Sequence, residues 1–338
     1  MTGRKGWIRK GETRRQRSFT TLVGEVRLKL VEVKCRSCGA RLRPLLGWLG
    51  LAPYQREEMG IKQQGIDLAT DLSYRRSSRQ LENLGGVNIS RSRLNSWVRK
   101  TDIELDLSVE DYPRSIYADT TGYHRQDGTE GKVRLVLLKG LSGKVNGVKV
   151  YVDQSWDVIG KELKSQISVE QLKGCVLLSD GEPGIEENLM VEGMEHQRCL
   201  WHGWKDLGYM LWAEGMSKEE RDTITGQLRK LTIALPFEEK AVIKEDKEEI
   251  GEKLKKVKIS MNELIDYLKS KGYHRASGYL ERASDKFFTY VKLWLEKGVQ
   301  VGKTTDIMER TMREIARRVK RIGASWGDIG LLAILRFL

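Results

Sequence analysis

The chain has 338 residues, 39% of them apolar and 9 of them Trp, enough to fill the cores of two domains and too much for a disordered tail. Its longest apolar stretches, such as Pro44 to Pro53 and Gly327 to Ile334, fall short of the roughly 20 residues that span a bilayer, so no membrane role is expected. The net charge of +13 is uneven: residues 1–100 carry 22 Lys and Arg against 8 Asp and Glu, whereas the rest carries 38 against 39. A block of like charge in a folded region attracts polyanions, and in a cytosolic chain that points to nucleic acid. The basic start, Met1 to Arg17, leads into no apolar signal-peptide core, so the expected location is cytoplasmic. Four cysteines, Cys35, Cys38, Cys175 and Cys199, are too few for a disulfide framework, and the Cys35-x-x-Cys38 pair suggests metal or redox chemistry.

In chain order, residues 19–34 (FTTLVGEVRLKLVEVK) alternate apolar and polar side chains through Val23, Val26, Leu28, Leu30 and Val33, which predicts a β-hairpin with a Gly24-Glu25 turn. It leads into Cys35 and Cys38, which have the spacing of a zinc-ribbon half-site. No Cys or His precedes Cys35, so a four-ligand Zn²⁺ site has no local completion. Either the chain starts further upstream, the ligands come from elsewhere, or the hairpin stands without metal. Three helices are predicted over Gln55–Leu72, Ser77–Leu84 and Ile89–Lys100, with Gly85-Gly86 closing the second and Ser90 capping the third. Their pattern is that of a helix-turn-helix module. Arg75, Arg76, Arg79, Arg91, Arg93, Arg99 and Lys100 would contact double-stranded DNA, short polar and Arg side chains meeting base edges and neighbouring Arg meeting phosphates. A trihelical packing module with a solvated basic face is the alternative.

Beyond an acidic stretch, Glu104 to Asp111, the texture becomes that of an α/β domain. Strands are predicted over Ser115–His124, Lys132–Leu138 and Val148–Asp153, then a helix over Val158–Ile167, a buried strand over Gly174–Leu178 and a short strand over His196–Leu200. Residues 203–300, with a single Pro236, read as a helical block placed before a last helix, Thr304–Arg321. Three carboxylates occupy awkward positions. Asp119 lies in the strand-like run SIYADTTGY, where Asp is disfavoured and costly to bury unless something compensates it. Asp180 follows the carboxyl end of GCVLL, where open α/β sheets bind ligands, and Gly181 keeps the backbone clear. On the last helix the apolar stripe is Met308, Met312, Ile315, Val319 and Ile322; helical projection puts Glu309 beside it, next to Ala316, with Asp306, Arg310, Arg313 and Arg317 facing away. Such a triple can hold two hard divalent cations for phosphoryl transfer, while N-cap and surface carboxylates give the same spacing by accident.

The order YADTTG, LLSDGEPGI, QRCLWHGWKDL, helical block, TTDIMERTMREIARRVKRIGASW resembles the catalytic core of DDE transposases, more closely those of prokaryotic insertion sequences related to the Mutator-like elements. The likeness covers about residues 113–338. It implies an α/β RNase H-like core interrupted by an all-α insertion: core residues 113–202, insertion 203–302, and a final core helix within 303–338. Ahead of these stand a basic hairpin with its Cys-x-x-Cys element, residues 1–50, and a helix-turn-helix DNA-binding domain, residues 51–105. By motif, Asp119 and Asp180 match the family's aspartates, Glu309 its glutamate, and Cys199 and His202 its Cys-x-x-His signature; Asp306 stands where relatives often carry Asn. The implied activity is recognition of the element's own terminal inverted repeats and Mg²⁺- or Mn²⁺-dependent cleavage and strand transfer on two ions held by Asp119, Asp180 and Glu309. A homodimer is expected, because two DNA ends must be paired. Arg310, Arg313, Arg317 and Lys320 would hold the DNA backbone or form a solvated helix face. Cys199 and His202 either line the active site or pack under Trp201 and Trp204; a zinc site from this pair alone is not expected. Two other functions fit the same sequence: a catalytically lapsed DNA-binding descendant, and an RNase H-like nuclease without strand transfer.

Overall fold

The computed structural model describes residues 6–12, 16–52, 54–101, 113–233, 247–321 and 325–337. The acidic stretch Glu104–Asp111, Pro236 and Ile322 lie outside them. The described residues fall into two compact units, one of residues up to 101 with 333–337 and one of residues 113–332. No described helix is long and apolar enough to cross a membrane.

In the first unit, β1 (Trp7–Glu12) is followed by a hairpin of β2 (Arg17–Thr21) and β3 (Gly24–Leu28), then by β4 (Val31–Cys35) and the short β5 (Arg41–Leu42). β2 and β3 form their own two-stranded sheet, with Thr20 of β2 also bridged to Glu57, while β4 lies between β1 and β5 in an antiparallel sheet. The single hairpin expected over residues 19–34 is therefore two pieces. The consecutive apolar pair Leu30-Val31 breaks the period-two alternation, and a one-residue slip sends side chains to the opposite face, so the chain changes sheets there. The hairpin turn is Leu22-Val23, ahead of the expected Gly24-Glu25. Helix α1 (Pro44–Trp48) precedes three helices, α2 (Met59–Asp71), α3 (Tyr74–Gly85) and α4 (Arg91–Lys100). Their ends follow local chemistry: the Ser73 and Ser90 side chains accept from the backbone N–H groups of Arg76 and Arg93, and Gly86 takes a left-handed conformation, φ 61°, that closes α3. α2 and α4 meet at Gly65, where an added Cβ would stand 2.8 Å from both Leu94 and Trp97.

The second unit is built on β6 (Pro113–His124), β7 (Glu130–Gly140), β8 (Val145–Val152), β9 (Val176–Ser179) and β10 (Glu195–Arg198), in the sheet order β10-β9-β6-β7-β8. β6, β7 and β8 are antiparallel neighbours, whereas β9 runs parallel to both β6 and β10. Ile116 and Ala118 of β6, Val136 and Leu138 of β7 and Leu177 of β9 face a core shared with α5 (Trp156–Gln166), α6 (Val169–Leu172) and α7 (Ile185–Leu189). By the period of two, Tyr117, Asp119 and Leu178 belong to the opposite face.

After β10 come α8 (Leu200–Ala213), α9 (Lys218–Ile233), α10 (Lys247–Ser270), α11 (His274–Ala283), a 3₁₀ turn (Ser284–Phe288) and α12 (Thr289–Lys297). Buried Gln197 ties this block to the sheet, donating to the Phe287 carbonyl at 3.2 Å and accepting from the Tyr290 N–H at 2.9 Å. The chain then returns to the sheet face opposite α5, where an added Cβ at Gly302 would lie 3.0 Å from the Tyr117 hydroxyl. There it forms α13 (Asp306–Ala316), which widens into a π-helical turn over Arg317–Arg321; α14 (Asp328–Leu335) follows in the chain. The last helix thus runs on to Arg321, as the apolar stripe had suggested, but its final turn is π-helical and not α-helical. Its widened turn seats the fully buried Arg318 guanidinium 5.3 Å over the Trp326 ring.

Candidate active site

Strand register brings the two aspartates together. β6 and β9 are paired in parallel as far as Ala118 opposite Ser179, where β9 ends, so Asp119 within β6 and Asp180 just beyond β9 stand side by side. β10 is aligned with β9 as far as Arg198 opposite Ser179, which puts Cys199 next in the same row. In a pleated sheet such a row shares one face, and here it is the face that receives α13. A cavity of about 510 Å³ is lined there by Asp119, Cys199, Trp201, His202, Asp306 and Glu309, among others. Residues 119, 199, 202 and 309 therefore line one cavity, with Asp180 beside Asp119 on the neighbouring strand.

Electrostatics set the aspartates apart from ordinary surface carboxylates. Asp119 is only 8% exposed. Burial, followed by the neighbouring Asp180 charge, pushes its carboxyl up to about 7, although the Thr120 N–H donates to Oδ1 at 2.7 Å. Burial likewise raises Asp180 to about 6, against the Glu182 N–H at 2.9 Å and the nearby Arg198 charge. Two desolvated carboxylates that repel each other are hard oxygen donors in need of a cation, and a divalent metal ion fits that chemistry. Glu309 lies apart from them. It is exposed and paired with Arg313 at 3.6 Å, and the described residues contain no group of three His, Cys, Asp or Glu already converged on one ion. An exposed pair of this kind is worth less than about 1 kcal/mol, so swinging Glu309 toward the aspartates costs little.

Cys199 and His202 have separate tasks. The buried Cys199 sulfur lies 3.4 Å from both the backbone nitrogen and the hydroxyl of Thr305, the residue preceding α13, and it accepts the N–H. The Leu200 N–H donates to the Lys303 carbonyl at 3.1 Å. These contacts fix where the Glu309 helix begins. The His202 ring, edge-on to Trp201 at 4.7 Å, is held neutral: burial, then the Lys205 and Arg198 charges, lower it to about 4. Its Nδ1 is buried without a hydrogen-bond partner among the described residues.

Several participants escaped the sequence reading. Glu182 accepts from the Thr120 hydroxyl at 2.6 Å and the Trp156 Nε1–H at 2.8 Å and pairs with Lys132; against burial, which raises it, these bonds hold its carboxyl below the usual range. The Arg198 guanidinium covers Gly181 so closely that an added Cβ would lie 1.2 Å from it, and it reaches the Tyr279 hydroxyl at 3.2 Å. A charged residue within the short strand EHQR was the available signal for Arg198, of the same kind as Asp119 in β6. Among the residues expected on the outer face of the last helix, Arg313 and Asp306 line the cavity instead, and Arg317 is half-buried and bonded to Glu314 at 2.8 Å. The helix is rolled further toward the sheet edge than the stripe implied, leaving Met312 in the cavity wall and Arg310 and Lys320 exposed.

In the first unit Arg75, Arg76, Arg79, Arg91, Arg99 and Lys100 are exposed on α3 and α4. Arg93 differs from the expected free contact, because the Glu57 carboxylate pairs with its guanidinium. Cys35 is buried and bonded to the Ser37 hydroxyl at 3.0 Å, Cys38 is exposed, and both are free thiols; no third metal-ligating side chain joins them among the described residues. No family model and no curated protein matches the chain.

Proposed function

We propose that the chain is a metal-dependent DNA transposase: a DDE enzyme that binds the terminal inverted repeats of its own mobile element and cuts and joins DNA. The observation that carries this reading is the placement of the buried Asp119 of β6 beside the half-buried Asp180 that follows β9, with Glu309 of α13 on the wall of the cavity that contains Asp119. The mixed five-stranded sheet, interrupted by a helical block before α13, supports an RNase H-like core with an all-α insertion. The exposed arginines of α3 and α4 support a helix-turn-helix module that holds double-stranded DNA.

Asp119, Asp180 and Glu309 would hold two Mg²⁺ or Mn²⁺ ions. When bound, such ions activate the attacking water or 3′-hydroxyl and stabilise the leaving oxygen in an in-line displacement at phosphorus. The protein's own part is positioning. Lys205, whose charge reaches Asp119, and Arg313 on the cavity wall attract the scissile phosphate. His202, neutral near pH 7, lines the same cavity edge-on to Trp201 and adds no charge to it. Cys199 and Thr305 hold the start of the helix that delivers Glu309. A homodimer would pair the two ends.

The test is cleavage and joining of a DNA fragment carrying the element's ends, with Mg²⁺ or Mn²⁺, in wild type and Asp180→Asn. Cutting that vanishes in the variant, with 3′ ends joined to target DNA, is the expected result. Cutting without joining would make the protein a nuclease, and specific binding without cutting in either protein would make it a lapsed descendant.

A further inference from the structure

The helical block carries a second groove of about 610 Å³ between α8 and α9, which shares Trp201 with the carboxylate cavity. α8 presents Trp201, Lys205 and Tyr209 to it as one stripe at i, i+4 and i+8. Trp201 and Tyr209 are 48% and 61% exposed, and the Lys205 ammonium lies 5.0 and 5.9 Å from their ring centroids. Facing them on α9 are Lys218, Arg221 and Arg229, against the single carboxylate Asp222. Arg229 lies 5.2 Å over the Trp204 ring, and the buried Nε of Arg221 has no hydrogen-bond partner among the described residues. The floor is open at Gly226, where an added Cβ would meet nothing within 4 Å.

Flat rings interleaved with cations suit one class of occupant. A protein partner's apolar patch would leave four cations facing it, and duplex DNA hides its base faces inside the stack. An unpaired strand offers both complements at once, a π-face on every base for the rings and a phosphate at every step for the cations. We propose that the α8–α9 groove binds single-stranded DNA, with bases stacked on Trp201 and Tyr209 and phosphates against Lys218 and Arg221. Because Trp201 borders both spaces, a strand that leaves the carboxylate cavity unpaired enters this groove directly. The proposal rests on the transposase reading only for the choice of DNA over RNA.

The experiment follows the fluorescence anisotropy of labelled oligothymidine of about 12 nucleotides, the matching duplex and oligouridine with the full chain in EDTA. Tyr209→Ala and Arg221→Ala should each weaken oligothymidine binding about tenfold, Tyr209→Phe should retain it, and duplex affinity should be unchanged. Lys218→Ala, at an exposed position, replaces Arg221→Ala if thermal melts show that variant unfolded. Undiminished oligothymidine affinity in the variants, equal losses for the duplex, or tighter binding of oligouridine would each overturn the proposal. No metal and no cleavage enter this measurement, so its failure leaves the transposase reading standing, and absence of cleavage leaves the groove standing.

Discussion

The arginines of α3 and α4 stand in solvent, six of the seven cations singled out there with no acidic partner among the described residues, whereas the carboxylates within β6 and just past β9 are desolvated and crowded against each other. The first arrangement acts at a distance. Exposed like charges cost the fold little and build a field whose reach is set by salt. The second acts only on contact, because burial raises the free energy of the charged form until a cation or a proton arrives. One region can therefore lose a residue and weaken by degrees, while the other fails when a single carboxylate becomes an amide.

Asp119→Asn and Asp180→Asn carry the largest expected effect. Each should lower metal-dependent cleavage by about 1,000-fold, roughly 4 kcal/mol of barrier, while duplex affinity in EDTA stays at the wild-type value. Equal losses of cutting and of metal-free binding would dissolve the contrast between the regions. Next in size is the combined change of Arg75, Arg76 and Arg79 to Ala. Duplex affinity should fall about 10- to 100-fold at low salt, and the slope of log affinity against log salt should flatten by about 2 to 3. An unchanged slope would mean that the α3 arginines form a solvated face and touch no phosphate.

Much of this contrast was legible in the sequence, for reasons that differ by region. The basic third needed only counting. The strands and caps followed from alternation and from Ser90 and Gly86, whose roles are local. Asp119 stood out because a carboxylate in a strand has to be explained, and Asp180 because it ends a buried one. What the sequence could not supply was register and roll. Nothing in YADTTG or LLSDGEPGI states that Ala118 pairs with Ser179. Glu182 and Arg198 were missed because their partners, Thr120 and Tyr279, are 62 and 81 residues away. Helical projection likewise mislaid Arg313, since it fixes the angles between side chains on a helix and not the roll of that helix against the sheet.

Smaller, and different in sign from the usual carboxylate, is the pH response of the metal-free protein. Burial and Asp180 raise Asp119 to about 7 from an ordinary value near 3.8, so the folded state binds the proton more tightly than the unfolded chain. The associated stability is fully present below the unfolded value and is lost as pH rises through about 7. Melting temperature in EDTA should fall between pH 5 and 8, and Asp119→Asn should remove part of the fall, a difference on the order of 2 kcal/mol at the upper end. Mg²⁺ should reverse the trend, because metal and proton compete for the same oxygens. A wild-type melting temperature that rises across this range in EDTA would show that the two aspartates do not burden the fold.

The smallest effect separates the two readings of Cys199. If its sulfur only fills space, Cys199→Ala leaves a small void and lowers stability alone. If it holds the start of α13 by accepting the Thr305 N–H at 3.4 Å, the same change also lets the helix end fray and Glu309 wander. The expected loss of stability is modest, about 1 kcal/mol, because a thiol is a weak acceptor. Cleavage should fall by more than that loss accounts for, and the metal concentration for half-maximal activity should rise. Cys199→Ser keeps an acceptor on a shorter bond, so it should recover part of the metal affinity without recovering all of the stability. That split is what a positioning residue produces, since the row Cys199, Asp180, Asp119 is fixed by strand pairing and α13 alone must be held in place from outside the sheet.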